Sequence, residues 1–205
     1  GLSWSGYADY KDMWTVDVFD IFNDSYGVKK NNISKEYIES SEKLKPAYRD
    51  NIIGIQSQIW SETIRNENIL DYMFMPNIIV FSQKAWSKDP KWMSIQDQME
   101  REITLNYEWN KFTNSIGQRV LPIVENIYGG LTYDLPKPGG IIKNDSLYAN
   151  TAFPGLNIKY TLDGSIPNNE SMNYNNPVKI DQDDVINLRL FDNKGRGGNS
   201  IQVDK

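Results

Sequence analysis

The segment YDLPKPGG, residues 133–140, limits the possible folds of this chain more than any other stretch, because it has two prolines and two glycines among eight residues. Proline removes a backbone donor and glycine frees the backbone, so such a run interrupts regular structure. Helical hydrophobic patterns precede it, whereas short alternating runs with turn residues begin at Ile141. The sequence therefore predicts two domains, residues 1–132 and 141–205, joined by a linker at 133–140.

The stretch after the linker has the texture of a small all-β domain. Within NIKYTLDGSIP, the pair Asp163–Gly164 is a strong hairpin signal. The later run VINLRLFDNKGRGG alternates between apolar and polar residues and then breaks on its glycines. These features predict a β-sandwich of the immunoglobulin type.

The stretch before the linker mixes a strand with helices. Residues 52–60, which begin with isoleucines around Gly54, predict a buried β-strand, and alternation in TVDVFDIF, residues 15–22, predicts a second short strand. The following residues predict two helices divided at Pro76 and further helices that end at Gly129–Gly130. The predicted apolar face of the helix after Pro76 comprises Ile78, Ile79, Ser82, Ala85 and Trp86.

A strand followed by long helices is typical of an α/β layer or barrel. The predicted fold class is therefore α/β plus all-β, with an α/β layer or barrel before the β-sandwich.

Composition removes several function classes. The chain has no cysteine and no histidine, which excludes thiolate nucleophiles, zinc–cysteine sites and imidazole catalysis. Its net charge of −5 favours no nucleic-acid partner, and no apolar run reaches the length of a membrane span. The acidic cluster Asp181, Asp183 and Asp184 lacks the glycine turn and closing glutamate of a calcium loop, so a solvated turn is predicted. We expect no metal and no cofactor.

The end of the predicted strand at 52–60 carries unusual residues for a buried position. Alternation along a strand would place Trp60 and Glu62 on the same side, about 7 Å apart. An indole can cover the apolar face of a sugar ring while a carboxylate accepts hydrogen bonds from its hydroxyls. The alternative is a tryptophan that packs in the core and a glutamate that is solvated or caps a helix.

Five segments, taken in chain order, match the pattern of one known family. They are IIGIQSQIWSETI, DYMFMPNIIVFSQKAW, FTNSIGQRV, YDLPKPGG and IKYTLDGSIP. Together they resemble the C-terminal part of the family 20 glycoside hydrolases, the β-N-acetylhexosaminidases and chitobiases, over nearly the whole chain. The first segment resembles the family's last barrel strand, whose end carries a Trp-x-Glu motif. The resemblance implies that the last strands and helices of a (β/α)8 TIM barrel precede an immunoglobulin-like β-sandwich.

Near the start, SGYADY resembles the family's Tyr-x-Asp motif at the end of the preceding barrel strand. The resemblance implies that Tyr7 binds the acetamido oxygen of the substrate and that Asp9 holds sugar hydroxyls. It also implies that Trp60 forms a wall of the pocket and that Glu62 binds hydroxyls at the non-reducing end of the sugar. These four residues are predicted to recognise substrate and not to transfer protons.

The resemblance implies hydrolysis of terminal N-acetylhexosamine by substrate-assisted retention, in which the substrate acetamide attacks the anomeric carbon. The family's catalytic pair is an Asp-Glu dipeptide, and none occurs in the 205 residues. A (β/α)8 barrel needs about 250 residues. We therefore expect a section of a larger hexosaminidase that contributes recognition residues, contains no catalytic residue and is inactive alone.

Three functions remain open at this point: that section of an enzyme, a non-catalytic carbohydrate-binding protein, and a structural accessory domain. The expected partners are a glycan that contains N-acetylhexosamine and either the rest of the parent barrel or a second copy of the chain. Unpaired barrel strands would expose apolar edges, which either the chain's own helices or such a partner would cover. The resemblance suggests a secreted, periplasmic or cell-surface parent, and the sequence leaves the location open.

Overall fold

The computed structural model describes residues 9–20 and 33–204. Contacts divide the chain into two compact units, Gly1–Arg65 with Met73–Trp109, and Asn66–Tyr72 with Asn110–Lys205. The helices are α1 (Tyr10–Thr15), α2 (Lys35–Ser40), α3 (Glu67–Phe74), α4 (Asn77–Trp86), α5 (Gln98–Ser115) and α6 (Leu121–Val124), with 3₁₀ turns at Pro46–Asn51, Lys91–Ser94 and Ile127–Gly129 and a π-turn at Ile116–Val120.

Short polar side chains cap four of these helices, α1, α2, α3 and α5. The hydroxyl of Ser34 accepts a hydrogen bond from the Tyr37 amide at 3.2 Å, which starts α2. The Asp97 carboxylate accepts from the Glu100 amide at 2.8 Å and caps α5 in the same way. Each cap satisfies an amide that has no partner inside its own helix.

The break between α3 and α4 confirms the prediction of two helices divided at Pro76. The predicted apolar face of α4 is wrong in part. Val80, which was not assigned to that face, is fully buried, whereas Trp86 is 90% exposed. Helical spacing predicts the approximate position of an apolar face but not which residues at its edges are buried. The packing of α4 against α1 selects the buried side.

Three tryptophans form much of the core in the first unit. The ring of Trp14 lies 6.1 Å from that of Trp92 and 5.4 Å from that of Trp109. The guanidinium carbon of Arg101 lies 5.3 Å from the Trp92 ring centroid, a cation–π distance. Contacts between aromatic rings at these separations stabilise a fold by more than the burial of their apolar area alone.

The described residues form neither of the strands predicted in the first unit, and residues 21–22 of the second lie outside them. Residues 52–60 have no ladder partner in the described part of the chain, and Ile53 is 99% exposed. Thr15 ends α1, and residues 16–20 contain bends in which the Asp17 carboxylate accepts from the Phe19 amide at 2.9 Å. A strand requires a neighbour that pairs with it, and the first paired strand in the described residues begins at Gly139. The described residues therefore do not confirm a barrel remnant.

In the second unit, the helical region ends where the glycines indicated. Gly129 and Gly130 both have positive φ angles, 85° and 97°. This left-handed backbone is available to glycine at little cost and terminates a helix. The prediction of a stop at Gly129–Gly130 is confirmed.

Within the described residues, seven antiparallel strands follow in two sheets, which confirms the all-β prediction. One sheet has the order β1-β2-β5 and the other has the order β4-β3-β6-β7. The strands are β1 (Gly139–Lys143), β2 (Ser146–Asn150), β3 (Asn157–Thr161), β4 (Met172–Asn173), β5 (Val178–Lys179), β6 (Ile186–Phe191) and β7 (Gly197–Val203).

The sheets contact through small residues and alternating apolar ones. The α-carbon of Gly140 in β1 faces the side chains of Leu188 and Val203 from the opposite sheet, each 2.7 Å from where a Cβ would stand. Along β6, Ile186, Leu188 and Leu190 are buried, as the alternation predicted. The immunoglobulin type of this sandwich stays a prediction.

The Asp163–Gly164 pair forms a turn but not the tight hairpin that was predicted. Gly164 has a φ of 80°, and the Asp163 carboxylate accepts from both the amide and the hydroxyl of Ser165. The next strand along the chain begins only at Met172, and the Gly164 amide donates to the Val185 carbonyl at 2.8 Å. The Asn187 side chain also donates to the Gly164 carbonyl at 2.8 Å.

The segment 133–140 is packed against the protein. Tyr133 is fully buried, Leu135 is nearly so, and the last two residues of the segment already belong to β1. Its role as a linker, with the domain limits 1–132 and 141–205, stays a prediction. No helix in the described ranges has both the length and the apolarity to cross a bilayer.

Candidate functional site

Asp9 is the N-cap of α1, and Tyr7 lies outside the described residues. The Oδ1 atom of Asp9 accepts hydrogen bonds from the amides of Lys11 and Asp12 at 2.8 and 3.1 Å. The Lys11 ammonium donates to the Asn106 side chain at 2.7 Å. Burial lowers the pKa of Lys11, and the nearby Asp9 charge partly offsets that shift.

A cap and a sugar ligand make different demands on Asp9, and substitution can separate them. Asp9→Ala is expected to lower the free energy of unfolding by about 1 kcal/mol, because α1 loses its cap. Asp9→Asn keeps an acceptor at the cap and is expected to be within a few tenths of a kcal/mol of the unsubstituted protein. Chemical denaturation measures both, and equal losses in the two variants would contradict the capping role.

Trp60 and Glu62 lie together on an exposed segment. Trp60 is 62% exposed, and Glu62 is exposed in the turn that follows. The Arg65 guanidinium donates to the Glu62 carbonyl at 2.7 Å and so fixes the backbone of this turn. The cap of α3 is the Asn66 side chain, which accepts from the Ile69 amide at 3.0 Å. Trp60 is thus no core residue, and Glu62 does not cap this helix.

The structure brings together some of the predicted site residues and not others. Trp60 and Glu62 are neighbours in the chain, but the strand that would align their side chains is not formed. Within the described ranges, the hydrogen bonds found for Asp9 and for Glu62 are local and do not join the two segments. The shared pocket therefore stays a prediction that rests on the sequence motifs.

A small pocket lies on the first unit beside the tryptophan core. Its volume of about 40 Å³ is far below the roughly 300 Å³ at which small-molecule sites begin. Its size suits water and not a sugar ring. The lining residues are Trp14, Gln83, Lys84, Ser87, Lys88, Asp89 and Pro90. In the described part of the chain, no group of three or more acidic side chains is placed to hold a metal ion.

The sequence did not reveal a buried polar cluster in the second unit. The Glu125 side chain, in a residue only 4% exposed, accepts from the Tyr133 hydroxyl at 2.6 Å and from the Asn193 side-chain amide at 3.1 Å. The Lys194 ammonium donates to the Glu125 carbonyl. Burial, followed by the hydrogen bond to Glu125, raises the pKa of the Tyr133 hydroxyl.

A charged pair completes this cluster on the side of the β-hairpin. Arg196 donates to the buried Asp192 carboxylate at 3.0 Å and to the Tyr133 carbonyl at 2.6 Å. Its guanidinium carbon lies 4.7 Å from the Tyr133 ring centroid. We call the six residues the junction cluster. They are Glu125, Tyr133, Asp192, Asn193, Lys194 and Arg196.

Both parts of the chain match known domains. Residues 5–89 match the glycosyl hydrolase family 20 catalytic domain, and residues 125–200 match the chitobiase/β-hexosaminidase C-terminal domain. Each match covers less than half of the chain, and together they confirm the resemblance over residues 5–89 and 125–200. Asp9, Trp60 and Glu62 lie in the first match, and the junction cluster lies in the second.

Two relatives illustrate the similarity. The chain is 34% identical to an N,N′-diacetylchitobiase of Vibrio harveyi over 120 residues, which are 54% of this chain and 13% of that protein. It is 29% identical to a β-hexosaminidase of Vibrio vulnificus over 167 residues, which are 74% of this chain and 19% of that protein. The chain thus spans less than a fifth of the length of each of these two relatives.

Proposed function

We propose that this chain acts as a section of a β-N-acetylhexosaminidase that hydrolyses terminal N-acetylhexosamine residues of glycans. The observation that carries the proposal is the exposed Trp60–Ser61–Glu62 sequence within the stretch matched to the catalytic domain. A large indole held in solvent is available to cover the face of a sugar ring. The names of the two Vibrio relatives support the same substrate class.

In this proposal the chain contributes recognition. Trp60 forms one wall of the sugar pocket, and the Glu62 carboxylate accepts hydrogen bonds from sugar hydroxyls. Tyr7 binds the acetamido oxygen, and Asp9 holds further hydroxyls. Asp9 uses one carboxylate oxygen as a helix cap, so its other oxygen is the one assigned to the sugar.

The proposed reaction is substrate-assisted retention, in which the acetamide oxygen of the substrate attacks the anomeric carbon. The general acid and the group that orients the acetamide are assigned to an Asp-Glu pair elsewhere in the enzyme, because no such dipeptide occurs in this sequence. The chain alone is therefore expected to be inactive.

The partner that we propose for the segment 52–60 is the rest of the catalytic domain. Its backbone has no ladder partner in the described residues, and Ile53, Ile59 and Trp60 are exposed. Adding strands on either side would satisfy the backbone groups and cover the isoleucines. Self-association of the chain would serve the same need.

The variant Glu62→Gln in the complete enzyme tests the proposed recognition role. We expect about tenfold to a hundredfold weaker binding of N-acetylglucosamine, because a charge-assisted hydrogen bond is replaced by a neutral one. Calorimetric titration measures binding, and a chromogenic N-acetylglucosaminide measures turnover. Glu67→Gln, at an exposed glutamate five positions later, is the matched control.

The outcomes separate the candidate functions. Unchanged binding and turnover in Glu62→Gln would contradict the role of this carboxylate. Sugar binding by the chain, with no turnover after the rest of the catalytic domain is supplied, would favour a carbohydrate-binding protein. Turnover by the chain alone would show that the acid is present here, which would contradict the assignment of chemistry to another part of the enzyme.

A further inference from the structure

The β-sandwich contacts the helical part of the second unit at two separate places. At the first, Gly117 in the π-turn lies directly against the backbone of the loop before β3. A Cβ at Gly117 would overlap the Pro154 carbonyl oxygen and stand 2.9 Å from the Phe153 carbonyl carbon. On the other side of this contact, a Cβ at Gly155 would stand 2.9 Å from the Gly117 carbonyl oxygen. Two backbones therefore meet with no side chain between them.

The second place is the junction cluster. The turn between β6 and β7 brings Asn193 to the Glu125 carboxylate, 68 positions away in sequence. Lys194 from the same turn reaches the Glu125 carbonyl, an acceptor that the end of a helix leaves free. The turn between β6 and β7 thus supplies hydrogen-bond donors to Glu125, at the end of α6, where the helix has no further amides to donate.

The segment between helix and sandwich is held inside this cluster. The Tyr133 hydroxyl binds Glu125 on the helix side, while its carbonyl and ring contact Arg196 on the hairpin side. Gly130 lies close by, and a Cβ there would stand 2.6 Å from the Glu125 carbonyl oxygen and 2.7 Å from the Lys194 nitrogen. Buried polar groups that are hydrogen-bonded on both sides hold a segment in one arrangement.

We propose that the β-sandwich serves as an intramolecular clamp on residues 116–135, and that residues 133–140 are a fixed spacer and not a hinge. The partner surface of the sandwich is the helical end of its own chain. The clamp has a close backbone-to-backbone contact at Gly117 and a hydrogen-bonded contact at the junction cluster. This role is independent of the proposed sugar chemistry, because none of its residues belongs to the proposed recognition set.

Hydrogen exchange on the intact chain tests the clamp with Tyr133→Phe, which removes one hydroxyl. We expect amides in residues 116–135 to exchange about tenfold to a hundredfold faster, since the Glu125 carboxylate loses a buried donor. Strands β3 and β6 should keep their protection. Tyr148→Phe removes the same atoms from an exposed tyrosine of β2 and should change neither region.

Asn193→Ala is the second variant, because it removes a side-chain donor on the hairpin side and leaves the apolar core intact. The same acceleration in residues 116–135 is expected. Unchanged exchange there in both variants would overturn the proposal. Equal acceleration throughout the second unit would also overturn it, since the sandwich would then not be a stable body that holds the helical end.

Discussion

Replacing Glu125 with alanine is expected to lower the free energy of unfolding by about 3–5 kcal/mol. The substitution leaves the Tyr133 hydroxyl and the Asn193 side-chain amide without their acceptor, at about 1–3 kcal/mol for each buried group. It also opens a cavity at a buried position, which adds to the loss. The carbonyl that binds Lys194 belongs to the backbone and is retained.

Urea denaturation followed by circular dichroism measures this loss, with Glu170→Ala as the matched control. Glu170 is exposed in the loop before β4, so its truncation should fall within about 0.5 kcal/mol of the unsubstituted protein. Glu125→Gln keeps an acceptor for Tyr133 and should lose less than Glu125→Ala. A Glu125→Ala variant as stable as the Glu170 control would mean that the junction cluster contributes no net stability.

Gly117→Ala is expected to lower the free energy of unfolding by about 2–4 kcal/mol. In an open helix, alanine is favoured over glycine by about 1 kcal/mol. Here the added Cβ would overlap the Pro154 carbonyl oxygen, and the nearby Phe153 atom is also backbone, so neither neighbour can rotate away. Overpacking usually costs about 1–3 kcal/mol, and a clash with fixed backbone exceeds the helical gain.

Gly54→Ala is the matched control for this prediction, because a Cβ at Gly54 would meet nothing within 4 Å. It should be neutral or slightly stabilising, by less than about 1 kcal/mol. Thermal unfolding of both variants measures the difference. If Gly117→Ala raised the melting temperature, the helical preference would have won and the close approach to Pro154 would be wrong.

Features governed by near neighbours in sequence were predictable. Pro76 divides two helices because its ring and missing donor act within one turn, and Gly129–Gly130 ends the helical region through its own backbone angles. The alternation in β6 likewise predicts that Ile186, Leu188 and Leu190 are buried, although it misses Phe191, which is buried as well. Each of these features depends on residues close to it in the chain, so a short stretch of sequence is enough to predict it.

Features that depend on distant partners were not predictable in the same way. The apolar start of residues 52–60 predicted a strand, yet a strand forms only when another segment pairs with it. Trp86 matched a helical face but is exposed, because packing and not spacing selects the buried side. Glu125 and Asn193 carry no pattern that links them across 68 positions.

The candidate site likewise has local features that the sequence predicts and non-local features that it does not. Trp60 and Glu62 were identified from their motif, and the structure adds that the indole is exposed and is not a core side chain. Asp9 was assigned to sugar from its motif, whereas its cap on α1 follows from local geometry that the sequence also contains. The position of one segment relative to the other depends on distant residues, so the shared sugar pocket is supported by the sequence motifs alone.

The junction cluster also bears on how proteins with this β-domain can recombine. A β-domain joined by a loose tether can be exchanged between proteins at its linker, because few contacts cross that boundary. Here Glu125 lies before residues 133–140 and its partners Asn193 and Lys194 lie after them. A crossover within the spacer would unite a carboxylate from one parent with a hairpin from the other. The sandwich and the helix end are thus expected to be inherited as one piece.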